Sequence, residues 1–235
     1  MAKEIDLPSK AAVNLALIDA YIMAKNAVVG AGYGWEIDAQ KNASLDQVTE
    51  KDFLQEAAWV ILSAGMKESV VRKKFITLSH AFLHWESADV IARCKRTCRA
   101  TAMSCFAHSG KIDAILTVAD HVAENGFHYV KQSIQERGAE YLQCFPFIGP
   151  VTCGHLAKNL GVDVVKPDRH LSRISAAAGF ASPHSLCRAI ADLSGERISV
   201  IDIVLWRFAT LNRQYLMLFA PFLQPRPGTW QGARH

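Results

Sequence analysis

The residue types best suited to chemistry lie in two short segments between residues 145 and 173. In the first, FPFIGPVTC at 145–153, Gly149 and Pro150 precede a helical pattern, which predicts a tight hairpin that leads into a helix. Gly149 can adopt backbone angles that are closed to other residues, which suits such a hairpin. The free N–H groups at such a helix start favour a bound phosphate. The candidate phosphate clamp consists of Gly149, Pro150, Val151 and Thr152.

The second segment, KPDRHLSR at 166–173, carries the best candidate for a catalytic carboxylate. Asp168 stands at the predicted start of a helix, where it is well suited to be an N-cap. A carboxylate in such a position also stabilises developing positive charge and positions or deprotonates water. The two roles are compatible, because one oxygen can cap the helix while the other faces the substrate. The candidate supporting residues, which contact phosphate, orient Asp168 or simply pack, are Lys166, His170 and Arg173.

Together, the two segments resemble the helix-hairpin-helix superfamily of DNA glycosylases. In that family a Leu-Pro-Gly-Val-Gly-type hairpin is followed by a helix and then by a Val-Asp-x-His-x-x-x-Arg-type segment with the catalytic Asp. Residues 59–75 are similar to the family segment in which a Leu-Ser-Ala-Gln-like turn joins two helices, and residues 201–207 resemble a late helix. The resemblance spans roughly residues 52–210 and implies that Asp168 is the catalytic residue.

Helical periodicity dominates the chain and predicts an all-α fold. The predicted helices, with a glycine-rich break at 30–34, cover 8–31, 52–62, 69–82, 87–105, 111–125, 127–141, 151–160, 169–178, 183–194 and 198–210. We expect an irregular tail from Pro221 onward. The resemblance implies two helical lobes with a cleft between them. The middle lobe, residues 50–165, ends in the hairpin, and the second lobe is built from residues 1–49 and 166–235.

Two departures from the family pattern bear on the reaction. Bifunctional members attack C1′ with a lysine two residues after the second hairpin glycine, and Val151 occupies that position here. The resemblance therefore implies a monofunctional enzyme that uses water and leaves an abasic site. Lys158 and Lys166 are the alternative nucleophiles. Phe147 stands where the family has its first hairpin glycine, so we expect a slightly altered hairpin.

An enzyme of this kind must flip a base out of the stack, fill the gap and hold the base in a pocket. Met66 lies in the turn where the resemblance implies an intercalating side chain, and a buried turn methionine is the alternative. Tyr33 and Trp35 are pocket candidates because core packing poorly explains aromatic residues in a glycine-rich loop. Packing in the core or between lobes is their alternative role. The remaining pocket candidates are Trp59, Phe145 and His155.

Composition sets the wider limits on function. The 235 residues are 50% hydrophobic and 20% charged, as in an ordinary globular protein, and the net charge of +4 is mild. DNA binding must therefore be argued from local basic clusters, for which solvated helix faces are the alternative. The two clusters are Lys67, Arg72, Lys73 and Lys74, and Arg93, Lys95, Arg96 and Arg99.

The six cysteines predict neither a disulfide framework nor a metal centre. The four closely spaced cysteines of an iron–sulfur loop and the C-x-x-C pair of a zinc site are both missing from the sequence. We therefore expect no metal, no iron–sulfur cluster and no cofactor for the chemistry, although the resemblance allows a monovalent cation at the hairpin carbonyls. Because no apolar run looks long and uninterrupted enough to span a bilayer and no signal peptide is evident, we expect a cytoplasmic protein without membrane contact.

The sequence thus predicts a monomeric, monofunctional DNA glycosylase, closer to the alkylpurine branch of the superfamily than to endonuclease III. Its partner is double-stranded DNA with a modified base, either an alkylated purine or a hypermodified base such as those of phage DNA. A cationic alkylated base suits an aromatic pocket because π faces attract it. The alternatives are a DNA-binding module that keeps the hairpin without chemistry, and a bifunctional glycosylase/lyase.

Overall fold

The computed structural model describes residues 10–220, and all its regular elements are helices. The α-helices are α1 (Lys10–Val28), α2 (Gly34–Asn42), α3 (Glu50–Ser63), α4 (Glu68–Ala81), α5 (Ala88–Arg93), α6 (Lys95–Cys105), α7 (Ser109–Asn125), α8 (Phe127–Arg137), α9 (Pro150–Asn159), α10 (Arg169–Ala177), α11 (Pro183–Ser194) and α12 (Ile198–Leu211). No strand occurs in this part of the chain, which confirms the all-α prediction. The tail from Pro221 lies outside the described residues.

The largest differences from the predicted helices occur in three segments. The helix predicted over 87–105 is two helices, because Cys94 (φ −94°, ψ 15°) interrupts it between α5 and α6. The helix α2 was not predicted, since it has no regular apolar stripe and buries only Ile37. The helix predicted over 127–141 ends at Arg137, where Gly138 has φ +64° and a short 3₁₀ turn follows.

The N-terminal helical stretch is more apolar than we expected. By length and composition alone, Ala11–Asn42 is able to cross a membrane, contrary to the expectation from the sequence. The core helix of a soluble protein passes the same test, and one face of α1 does pack against α12. Gly32, with φ +87°, also kinks the stretch. The opposite face exposes Leu15, Ile22 and Met23.

The chain forms two compact units. Unit 1 comprises Met1–Asp38 and Pro167–His235, and in its described part α1 and α10 each pack against α11 and α12. Unit 2 comprises Ala39–Lys166 and has a core of buried apolar side chains from α3 to α9. The candidate hairpin belongs to unit 2, whereas Asp168 belongs to unit 1. The predicted cleft between two lobes stays a prediction.

The first boundary between the units lies within α2, after Asp38 rather than at residues 49–50. Gln40 Nε2 donates to the Lys158 carbonyl at 3.3 Å, which ties the end of α2 to α9. Gly161, with φ +83°, approaches the Ser44 backbone so closely that a Cβ there would lie 2.5 Å from Ser44 N. These contacts attach residues from Gln40 onward to unit 2, and the sequence pattern shows none of them.

Candidate functional site

The hairpin runs from Phe145 to the start of α9 at Pro150. The Ile148 N–H donates to the Phe145 carbonyl at 3.2 Å and closes the turn. Within it, Phe147 has φ +64°, the left-handed region that glycine usually occupies. A phenylalanine there costs about 1 kcal/mol or more. The residue at the family's glycine position therefore adopts a glycine-like backbone.

Gly149 has ordinary backbone angles. Its φ of −96° and ψ of −172° are extended, and a Cβ would meet nothing within 4 Å. Gly149 therefore does not use the backbone angles that are closed to other residues. The left-handed residue is Phe147, which makes the chain reversal two positions earlier.

Thr152 ties the start of α9 to the hairpin. Its Oγ1 accepts the Gly149 N–H at 2.7 Å and lies 3.2 Å from the carbonyl oxygens of Phe147 and Gly149. Because the Gly149 N–H is used and Pro150 has none, only Val151 and Thr152 of the predicted clamp retain N–H groups without an acceptor among the described residues. A cation at the hairpin carbonyls would compete with the Thr152 hydroxyl for the same oxygens.

Asp168 is the N-cap of α10. Its Oδ1 accepts the N–H groups of His170 at 2.8 Å and Leu171 at 3.1 Å. Its Oδ2 has no hydrogen-bond or ion-pair partner within residues 10–220. The capping role is therefore present, and the second oxygen remains free for another group.

The three supporting candidates have different surroundings. The His170 ring contacts Tyr215, with Nδ1 3.4 Å from the tyrosine hydroxyl. Arg173 is exposed and makes no hydrogen bond or ion pair with the described residues. Lys166 is half-buried in unit 2, and its positive charge contributes to the lowered pKa of His155. A role in positioning Asp168 therefore stays a prediction for all three.

Tyr33 and Trp35 lie close in sequence within unit 1 but differ in exposure. The Arg207 guanidinium lies 4.2 Å from the Tyr33 ring centroid, and its Nε donates to Glu36 at 2.8 Å. This stacked and paired arginine gives Tyr33 a packing role. Trp35 is 64% exposed, so its ring is free to meet a ligand.

Two candidates from the helix–turn–helix at residues 59–75 pack within unit 2. The Trp59 ring meets Phe75 edge-on at 5.1 Å, and the Arg72 guanidinium lies 5.4 Å from its centroid. Met66 is half-buried against the core of the unit. Both side chains therefore have packing partners, while each also keeps some exposed surface.

Phe145 does not fit the pocket role expected from the sequence. The side chain is 3% exposed, and its ring contacts Phe53, His121 and Tyr141 at centroid distances of 6.0, 5.2 and 6.1 Å. Those neighbours leave no face of the ring for a base to stack on, so Phe145 is a core residue and not part of a base pocket. An aromatic residue beside a hairpin has the same sequence pattern whether it packs inward or outward.

His155 is held neutral. Burial, reinforced by the charges of Lys166 and Lys158, lowers its pKa to about 3, so the imidazole is uncharged at pH 7. Elsewhere on α9, Asn159 Nδ2 donates to Glu56 Oε2 at 2.9 Å, and burial raises the pKa of Glu56. Sequence reasoning missed Glu56, since an acidic residue within an amphipathic helix gives no signal of burial.

About half of the basic residues in the two clusters are already paired. Arg99 makes two hydrogen bonds to Asp113, at 2.6 and 3.1 Å, and Lys95 pairs with Asp120. In the other cluster, Arg72 pairs with Glu68, and Lys74 donates to a backbone carbonyl. Within these two clusters, the exposed cations without a partner in the described part of the chain are Lys67, Lys73, Arg93 and Arg96.

The described residues contain no group of three or more His, Cys, Asp or Glu side chains that could hold a metal ion. The structure does reveal one buried cation beside the hairpin that sequence reasoning missed, Lys111. It stands in the first turn of α7, where a lysine resembles any surface residue.

A scan against protein-family models and searches of curated proteins and solved structures each found no match to this chain.

Proposed function

We propose that the chain is a monofunctional DNA glycosylase, which flips a modified base out of double-stranded DNA and hydrolyses its N-glycosidic bond. The observation that carries this proposal is the geometry of Asp168. Its Oδ1 is fixed in the cap of α10, while its Oδ2 has no partner among the described residues. A carboxylate held by one oxygen and free at the other suits a catalytic role.

In the proposed reaction Asp168 acts on the deoxyribose rather than on the base. As the C1′–N bond breaks, its electron pair leaves with the base, and positive charge develops on C1′ and the ring oxygen. The free carboxylate oxygen stabilises that charge and accepts a proton from the water that adds to C1′. The sugar–phosphate backbone stays intact, and the product is an abasic site.

The hairpin supports DNA binding in this proposal. The N–H groups of Val151 and Thr152 have no acceptor among residues 10–220 at the start of α9, where the helix dipole also favours an anion. A phosphate bound there would position the duplex without reading its sequence. The basic residues without partners, such as Lys67 and Lys73, would add general affinity for the backbone.

The monofunctional assignment depends on Val151. This residue is 45% exposed at the position where bifunctional relatives carry the lysine nucleophile, and a valine cannot form a Schiff base. Water is then the nucleophile. Neither Lys158, which is buried, nor Lys166, which is half-buried, occupies that position.

The substrate that we propose is an alkylated purine or a hypermodified base, including those of phage DNA. Trp35 offers an exposed ring for stacking, and a cationic base is attracted to such a face. His155 is neutral and would accept or donate a hydrogen bond without repelling a cationic base. The identity of the released base would decide between a role in repair and a role in defence.

The direct test measures free base released from duplex DNAs that carry alkylated or phage-type bases, by mass spectrometry. Asp168→Asn should lower release about 100-fold or more, equivalent to roughly 3 kcal/mol of transition-state stabilisation. Because asparagine caps helices as well as aspartate does, the free energy of unfolding should hardly change. Near-normal release by this variant would remove Asp168 from the mechanism.

A control variant separates capping from chemistry. Ser182 caps α11 in the same unit, and its Oγ accepts the Ser185 N–H at 3.1 Å. Ser182→Ala should cost about 1 kcal/mol of stability and leave base release unchanged. Duplex binding without release of any base by the wild type would instead favour the non-catalytic DNA-binding protein.

Borohydride trapping tests the monofunctional assignment. Attack by water forms no imine between protein and sugar, so reduction should cross-link no protein to substrate DNA. The strand should be cut only after alkali or an added endonuclease. An adduct that disappears on replacing Lys158 or Lys166 would establish the bifunctional alternative.

A further inference from the structure

Lys111 is a buried cation whose hydrogen-bond partners among the described residues are backbone carbonyls. The residue is 2% exposed, and its Nζ donates to the carbonyls of Leu62 and Ala64, each at 2.6 Å. These carbonyls stand at the C-terminal end of α3, where a helix lacks its own donors. No carboxylate within residues 10–220 pairs with Lys111, and burial lowers its pKa.

The same ammonium contacts the hairpin. Its Nζ lies 5.8 Å from the centroid of the Phe147 ring. That ring also covers Gly110, where an added Cβ would lie 3.5 Å from it, and meets the His108 ring edge-on at 5.9 Å. The first turn of α7 therefore contacts two separate segments, the turn at the end of α3 and the hairpin.

We propose that Lys111 is a positioning residue that holds the turn at residues 62–66 and the hairpin at residues 145–149 in one fixed arrangement, so that both engage the same DNA duplex. The inference rests on the proposed function, in which the hairpin binds a phosphate, and on the sequence-based expectation that Met66 enters the base stack. The ammonium suits this role because it carries three donors. Two are used by the carbonyls, and the charge attracts the face of the Phe147 ring.

A helix end does not need a buried lysine for its cap. Glycine caps or water satisfy the last carbonyls of most helices, whereas burying an ammonium without an anion is costly. Here the buried ammonium lies against both the hairpin, which the proposed function assigns to phosphate, and the turn that carries Met66. The buried charge also raises the electrostatic potential beside the hairpin, where a phosphate would bind.

The chain offers a matched control in Lys131 of α8. Its Nζ donates to two backbone carbonyls, those of Asp46 at 2.7 Å and Val48 at 3.2 Å, and lies 5.9 Å from the centroid of the Phe127 ring. Lys131 therefore makes the same kinds of contact as Lys111, two hydrogen bonds to backbone carbonyls and one approach to a phenylalanine ring. It belongs to the same unit but touches neither the turn at residues 62–66 nor the hairpin.

The experiment compares Lys111→Met and Lys131→Met in the full chain. Amide hydrogen exchange is followed by mass spectrometry, and affinity is measured for a duplex with a tetrahydrofuran abasic-site analogue. Lys111→Met should speed exchange in both residues 62–66 and 145–149 and weaken duplex binding about 10-fold. Lys131→Met should speed exchange only near residues 46–48 and bind the duplex as the wild type does. If Lys111→Met does not fold, Lys111→Gln, which keeps an uncharged donor, takes its place.

Unchanged exchange in either segment of the Lys111 variant would overturn the inference. So would equal affinities of the two folded lysine variants for the duplex. If the wild type itself binds no modified or abasic duplex, the proposed function fails together with the DNA-binding part of this inference. The exchange measurement still decides by itself whether Lys111 couples the two segments.

Discussion

At the scale of single residues, the glycine before α9 and the glycine after it differ in how strictly the backbone requires a glycine. Gly149 has extended backbone angles and open space around its Cα. Gly161 has φ +83°, and a Cβ there would lie 2.5 Å from Ser44 N and 2.7 Å from the Ser44 Cα and carbonyl carbon. Of these two positions, only Gly161 must be a glycine. A side chain there would be strained by the positive φ and would collide with the Ser44 backbone.

We expect Gly161→Ala to lower the free energy of unfolding by about 3 kcal/mol or more, since backbone atoms must move and the left-handed angle is strained. Gly149→Ala should cost less than about 1 kcal/mol, the range of an N-cap change. Urea denaturation of both variants measures the difference. Similar losses for the two would contradict this distinction.

At the scale of elements, the hairpin and α9 are joined through one hydroxyl. The Oγ1 of Thr152 accepts the Gly149 N–H at 2.7 Å and lies within 3.2 Å of two hairpin carbonyls. A left-handed Phe147 lies in the same hairpin. Thr152 thus closes the hairpin onto the helix that would present N–H groups to a phosphate.

Thr152→Val should cost about 1 kcal/mol of stability, because the Gly149 N–H loses its acceptor while the shape of the side chain is kept. Binding to all duplexes should weaken to a similar degree whatever base they carry, since the hairpin positions phosphate. Thr152→Ser, which keeps the hydroxyl, should bind and unfold as the wild type does. Fluorescence titration with matched duplexes and denaturant unfolding measure the two effects, and a loss for one base only would move Thr152 into base recognition.

At the scale of the whole molecule, the two units are built differently. Unit 2 is one continuous segment, Ala39–Lys166, and its buried core residues, among those that the structure describes, all lie within that segment. Unit 1 joins Met1–Asp38 to Pro167–His235, so its helices α1 and α12 meet across a long separation in sequence. Folding of unit 2 therefore requires one continuous segment, whereas unit 1 requires two segments that are far apart in the sequence.

We expect residues 39–166, expressed alone, to be helical and to unfold cooperatively in urea. The core of this unit loses no member when the remaining residues are removed. Circular dichroism at 222 nm through a urea titration is the measurement. A broad, non-cooperative transition would show that unit 2 depends on the rest of the chain.

The amino-acid sequence alone determined the helical character of the chain and several local features. The apolar period of 3.6 residues is a local property, so it predicted the all-α fold and most helices. The cap of α10 by Asp168 and the start of α9 at Pro150 also follow from neighbouring residues. The helix α2 was missed because its residues lack that period.

Tertiary structure decided which side chains are free to act. Phe145 and Trp35 are both aromatic residues in segments predicted to turn near a glycine, yet one is 3% and the other 64% exposed. Lys111 looks like a surface lysine and is buried between α3 and the hairpin. Burial, backbone approach and the pairing of charges depend on residues far apart in the chain, so only the packed structure decides them.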